Sequence, residues 1–204
     1  MFKNYFKTAW RNLVKNKPAA FINIAGLSIG MAVTMLIALW IWDELSFDNY
    51  NENFNKIAQI ARKEITNGNA YVSSGNNHFP IPLSLELRTN YNNLFKHVAL
   101  ATETGKHVLD FNGNKFSEQG MYVEKDFTSI FSLKMLAGSS ADFSNPNSIL
   151  LGKAAAKALF GDGNAVGQVV KLDNTEPLKV SGVFDDLPDN TTFARTDFIC
   201  PWSL

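Results

Sequence analysis

From Ala19 to Trp42 the chain runs 24 residues without a charge, whereas on either side of that run polar and apolar positions interleave every few residues. A bilayer core about 30 Å thick takes roughly 20 helical residues to cross, so this stretch predicts a membrane-spanning helix with room for tilt. A secretory signal has a shorter apolar core, about 7 to 15 residues, closed by a small-x-small cleavage site. Here the run closes on the bulky Leu39-Trp40-Ile41-Trp42, followed by Asp43-Glu44. A cleaved signal is therefore not the expected reading.

Ahead of the span, Phe2, Phe6, Trp10, Leu13 and Val14 recur on one helical stripe, and Lys3, Lys7, Arg11 and Lys15 recur on a neighbouring one. This is the pattern of a helix lying in a membrane interface over residues 1–18, and the alternative is that the basic residues serve only as a topology signal. Pro18, with Asn16 before it, marks the break between that helix and the span. Residues 1–42 hold five basic side chains and no acidic one, and the other 162 residues hold 14 basic and 19 acidic, so a formal net charge of zero separates into +5 and −5. Because cytoplasmic flanks are enriched in Lys and Arg, the N-terminus is expected in the cytoplasm and the bulk of the chain, residues 43–204, outside it.

Within the span, Asn23, Gly26, Gly30 and Thr34 fall inside about 80° of arc at about 100° per residue. Small residues admit close backbone approach and a buried amide or hydroxyl bonds across helices, so this face is expected to meet a partner helix and not lipid.

After Trp42 no further uncharged run approaches the length of a span, and the periodicity turns mixed. Strands are expected over Ile57–Ile65, Phe95–Thr102, Ser148–Leu151, Val169–Leu172, Leu178–Phe184 and Phe193–Cys200. Helices are expected over Pro82–Asn90, with Pro in its first turn, and over Lys153–Phe160, with Gly161 as its stop. Asn112-Gly113-Asn114 reads as the turn of a hairpin within Val108–Gln119. Strands and helices mix without the regular alternation of a parallel sheet, so the fold class is α+β. Ser139–Pro146 reads as an internal linker, and the Asn-rich patches Asn49–Asn55 and Asn67–Asn77 as surface loops.

Candidate chemistry is sparse. No P-loop pattern occurs, and Gly161, Gly163 and Gly167 follow a helix where a phosphate cradle would open one. His78, His97 and His107 have no Cys or carboxylate at zinc spacing beside them. Asp43-Glu44 and Asp185-Asp186 lack a partner nucleophile or base, so no catalytic residue, metal or cofactor is expected. The acidic balance beyond the span and the absence of a basic stripe there argue against nucleic acid. Asn190-Thr191-Thr192 is formally a glycosylation acceptor. Cys200 is the one cysteine, so the chain holds no internal disulfide.

Two blocks carry a family resemblance. The segments FKNYFKTAWRNLVKNK and INIAGLSIGMAVTMLIALWIWDELSFDNYNEN resemble the start of ABC transporter permeases of the MacB/FtsX type. SILLGKAAAKALFGDGNAVGQVVKLDNTEPLKVSGVFDDLPDNTTF resembles the later part of that family's periplasmic core domain, with its F-G-D and V-x-G-V-x-x-D-L-P elements. The resemblance implies an interface helix on the cytoplasmic face, a first transmembrane helix, and a periplasmic domain inserted before the second. It further implies a homo- or heterodimer of permeases in the bacterial inner membrane, served by an ABC nucleotide-binding subunit whose ATP cycle moves the periplasmic domain. The family's later transmembrane helices are missing from this sequence, which is expected to be a fragment or truncated product. A single-span sensor ectodomain is the alternative, and downstream sequence separates the two.

Overall fold

The computed structural model describes residues 2–72 and 79–204, which divide into two compact units, Met1–Phe47 and Asp48–Leu204. The first unit is two helices, α1 (Phe2–Lys15) and α2 (Lys17–Leu45). Asn16, at φ −111° and ψ 59°, interrupts them, and Pro18 lies in the first turn of α2. A proline is tolerated there because the first amides of a helix have no intrahelical acceptor. Ser46 closes α2, its amide donating to the Trp42 carbonyl at 3.0 Å and its hydroxyl to the Asp43 carbonyl at 3.0 Å. No residue of α2 is buried within the chain.

In the second unit the strands are β1 (Lys63–Thr66), β2 (Asn69–Val72), β3 (Gly105–Phe111), β4 (Asn114–Val123), β5 (Met135–Gly138), β6 (Ser148–Gly152), β7 (Val169–Leu172), β8 (Glu176–Phe184) and β9 (Phe198–Pro201). The helices are α3 (Pro82–Asn90), α4 (Phe127–Ile130) and α5 (Lys153–Phe160). β1 and β2 form a separate hairpin; the other seven strands form one sheet. Following neighbours from β8 through β6, β9, β4, β3 and β7 leads back to β8, so six strands close a ring, and β5 lines the remaining stretch of β8. The β6–β8 and β4–β9 pairs are parallel and the rest antiparallel. This mixture is the α+β class expected from the sequence.

Two apolar cores occupy opposite faces of the sheet, and the period-2 alternation of strand side chains sorts residues between them. Ile149 and Leu151 of β6, and Phe198 and Cys200 of β9, join Leu109, Val170, Leu178, Val180 and Leu159 of α5. Leu150 and Ile199, one residue out of step, join Met121, Val123, Phe127, Phe143 and Phe184. β8 breaks parity. Val180 pairs with Ile149 but Gly182 pairs with Leu150, so Ser181 is an extra residue, and Val180 and Val183 both reach the first core. Glycine is required at 120, where a Cβ would lie 2.1 Å from the Phe198 ring.

Several expectations need correction. Of Ile57–Ile65 only Lys63–Ile65 lies in a described strand, β1, which pairs with β2 across the Asn67-Gly68 turn from Thr66↔Asn69 to Lys63↔Val72. Both turn residues have positive φ, 54° and 80°, the conformation that makes Asn-Gly a hairpin signal. Phe95–Thr102 contributes one isolated bridge, Ala101 to Val123. The Thr102 amide and the Leu100 carbonyl flank that bridge with bonds to the Tyr122 carbonyl and the Glu124 amide, but the Val98 carbonyl accepts from the Arg88 guanidinium and the Leu100 amide donates to the Glu124 side chain. Phe193–Cys200 begins as a turn, with Arg195 at φ 63°, and the strand starts only at Phe198. Ser139–Pro146 is not a linker. It holds a short 3-10 turn, Ala141–Ser144, whose Phe143 is 2% exposed in the second core. The Asn67–Asn77 patch is β-hairpin over its first residues, and positions 73–78, His78 included, lie outside the described residues. By contrast, Pro82–Asn90, Lys153–Phe160 and Val169–Leu172 have the bounds the pattern indicates.

Candidate functional site

Asn23, Gly26, Gly30 and Thr34 lie on one exposed face of α2. A Cβ placed on Gly26 or Gly30 meets nothing within 4 Å, so the face is bare within the chain. The Thr34 hydroxyl donates to the Gly30 carbonyl at 2.8 Å. It is thereby satisfied inside the helix.

Three residues beyond α2, the first residue of the second unit makes a clasp that the sequence reading did not single out. The Asp48 carboxylate accepts from the Thr191 hydroxyl at 2.6 Å, the Thr192 amide at 2.8 Å and the Thr192 hydroxyl at 2.6 Å. Its own amide donates to the Asn190 carbonyl at 2.9 Å. Burial pushes the Asp48 carboxyl up, but the bonds from Thr191 and Thr192 outweigh it and hold the group below the usual carboxylate range. Thr191 is buried. Phe193, the next residue after the clasp, stands edge-on to Phe127 and Phe131 at ring separations of 5.1 and 4.7 Å. A chain of contacts thus runs from the point where the backbone enters this unit to the second core. The spacing of Asp48 from the Asn-Thr-Thr triplet, more than 140 residues, left no local pattern to find.

A second fixed joint seats α3. Arg88 forks onto Glu124, and Glu124 also accepts from Ser84 at 3.1 Å and from the Leu100 amide at 2.9 Å. Bidentate Arg–carboxylate geometry is directional and resists rotation of the helix.

Several of the described groups weighed for chemistry have structural partners. Asp185 pairs with Lys134 at 2.8 Å, which lowers its carboxyl pKa, and Asp186 accepts from the Ala154 amide in the first turn of α5. Asp43 and Glu44 are exposed at the end of α2. His97 sits 3.8 Å from Asp126. His107 bonds Asp173 at 2.8 Å, its ring edge-on to Tyr122 and Phe198. Glu118, cross-strand from His107, is pushed up by burial and by Asp197 beside it. Burial and the Asp173 charge push the Cys200 thiol far above its ordinary range, which makes it a poor nucleophile. Gly161 and Gly167, at φ 62° and 88°, shape the turn after α5. That turn lines a hollow of about 280 Å³ with Lys153 and Lys157. Among the described residues no three His, Cys, Asp or Glu side chains converge to hold a metal.

The family described as MacB-like periplasmic core domain matches residues 20–204. Among solved structures, the chain is similar to a domain of a permease protein from Porphyromonas gingivalis, at 19% identity and a TM-score of 0.46, over 52% of this chain and 51% of that one. It is similar to the periplasmic region of MacB from Actinobacillus actinomycetemcomitans, at 18% identity and a TM-score of 0.44, over 56% and 53%. The extracellular domain of the noncanonic ABC-type transporter YknZ from Gram-positive bacteria matches at 17% identity and a TM-score of 0.42, over 51% and 54%. The chain therefore spans about half the length of each of these structures. No curated protein sequence matches it.

Proposed function

Because this chain belongs to the MacB-like periplasmic core domain family, a domain of ABC-type transporter permeases, we propose that it is the N-terminal part of such a permease and acts as a mechanical element. In this reading α1, residues 1–18 with the turn after it, lies on the cytoplasmic face of the inner membrane. Residues 19–42 cross it, and residues 43–204 form the periplasmic domain. A nucleotide-binding partner subunit hydrolyses ATP, and the movement reaches the periplasmic domain through α2. The observation that carries the reading is that the family match begins at residue 20, inside α2, so the apolar helix and the sheet unit belong to one family unit.

The Asn23-Gly26-Gly30-Thr34 face is the dimer or bundle contact, since it offers close approach and an unpartnered amide. Asp48 is where force enters the sheet. The test is disulfide cross-linking in membranes, with Cys200→Ala as background. Gly26→Cys is expected to cross-link two copies, and Leu39→Cys, on the opposite side of α2, is not. Adding Gly30→Leu should suppress the Gly26→Cys product. Equal cross-linking at both positions would remove the face from the proposal. Topology is checked by an impermeant maleimide on intact spheroplasts, which should label Lys115→Cys at once and Asn12→Cys only after lysis.

A further inference from the structure

Helix α1 exposes an apolar arc that nothing in the chain covers: Phe6 is 74% exposed and Trp10 61%, with Leu13 and Val14 beside them. Fourteen residues make a marginal helix in water, so α1 needs a surface to hold it. Its charges are unequally placed. At about 100° per residue, Lys7 and Arg11 lie roughly 75° and 115° from the centre of the apolar arc, and Lys15 lies about 155° away, on the far side of the helix. The shoulder opposite Lys7 carries Ala9, Tyr5 and the uncharged Asn12, and the Thr8 hydroxyl, on the far side of the helix, is already spent on the Asn4 carbonyl at 2.9 Å. No acidic residue occurs before Asp43, so no carboxylate within α1 or the first turns of α2 neutralises Lys7 or Arg11.

We propose that α1 is a docking element for acidic phospholipid headgroups, which Lys7 and Arg11 engage from one shoulder while Phe6, Trp10, Leu13 and Val14 enter the acyl boundary. A zwitterionic surface serves the apolar arc equally well but leaves both cations without a counter-charge, and each basic side chain near an anionic surface is worth about a fivefold gain in binding. The inference rests on the reading that α2 spans the membrane, because that span delivers α1 to the bilayer surface.

The test reconstitutes the full chain in nanodiscs of phosphatidylcholine alone or of phosphatidylcholine and phosphatidylglycerol at seven to three, and follows amide hydrogen exchange. Protection across α1 is expected to be on the order of tenfold higher or more with phosphatidylglycerol. Half-molar salt and the pair Lys7→Gln with Arg11→Gln should each abolish the difference, since both remove the headgroup attraction. Lys15→Gln, facing away, should leave it in place. Equal protection in the two discs, or a difference that survives Lys7→Gln with Arg11→Gln, overturns the proposal. So does an α1 that is unprotected in both discs until a nucleotide-binding subunit is added. Exchange in α2, protected in either disc if it spans, reports separately on the reading underneath.

Discussion

Replacing Asp48 by Ala removes three hydrogen bonds to a carboxylate and leaves the buried Thr191 hydroxyl without its acceptor. Hydrogen bonds to charged groups contribute about 1.5–3 kcal/mol each when well shielded. Asp48 is only partly buried and Thr192 is exposed, so water reclaims much of that. The loss reduces to roughly 2 kcal/mol, most of it from the bond that the buried Thr191 hydroxyl gives up. For a unit of this size that lowers the melting temperature by about 4–8 °C. Scanning calorimetry of the full chain in detergent measures it, with Thr192→Val and the double variant completing a cycle whose coupling should be about 1 kcal/mol. The pH dependence follows from the sign of the shift. The folded pKa is lowered below 3.8, so the contribution is fully present above the unfolded value, about 3.9, and is lost as pH falls through the folded one. The gap between wild type and Asp48→Ala should therefore be constant near neutrality and close in acid. A variant melting within about 1 °C of wild type at pH 7, or a gap that widens on acidification, would refute the clasp.

Phe143→Ala should destabilise the sheet unit by about 3–5 kcal/mol, read by urea-dependent pulse proteolysis; a segment acting as a linker would tolerate the change silently. Cys200 should resist a maleimide at pH 8 in the folded chain and react promptly in urea, because its sulfur is buried and its thiolate disfavoured. Modification at equal rates in both states would contradict that burial.

Which elements were legible depended on where their determinants sit. Pro82–Asn90 carries a start signal in Pro82 and Lys153–Phe160 a stop signal in Gly161, so local chemistry marks one end of each. The Asn112-Gly113 turn requires positive φ at both residues, 54° and 87°, which is written in the residue types. Phe95–Thr102 looks as extended as any strand, yet beyond the single bridge at Ala101 two side chains from elsewhere, Arg88 and Glu124, take the Val98 carbonyl and the Leu100 amide. Phe143 shows how one aromatic in a polar stretch is read as a loop when its core is distant in sequence.

The long apolar helix, the small residues along one side of it, the basic N-terminal arm and the α+β class were determined by the sequence alone, because each depends on composition or on spacings of a few residues. Only the tertiary structure decided the ring of six strands, the two cores divided by the Ser181 bulge, and the Asp48 clasp. Those depend on contacts between residues far apart in the chain, whose formation is set by the closure of the sheet as a whole and not by any local preference.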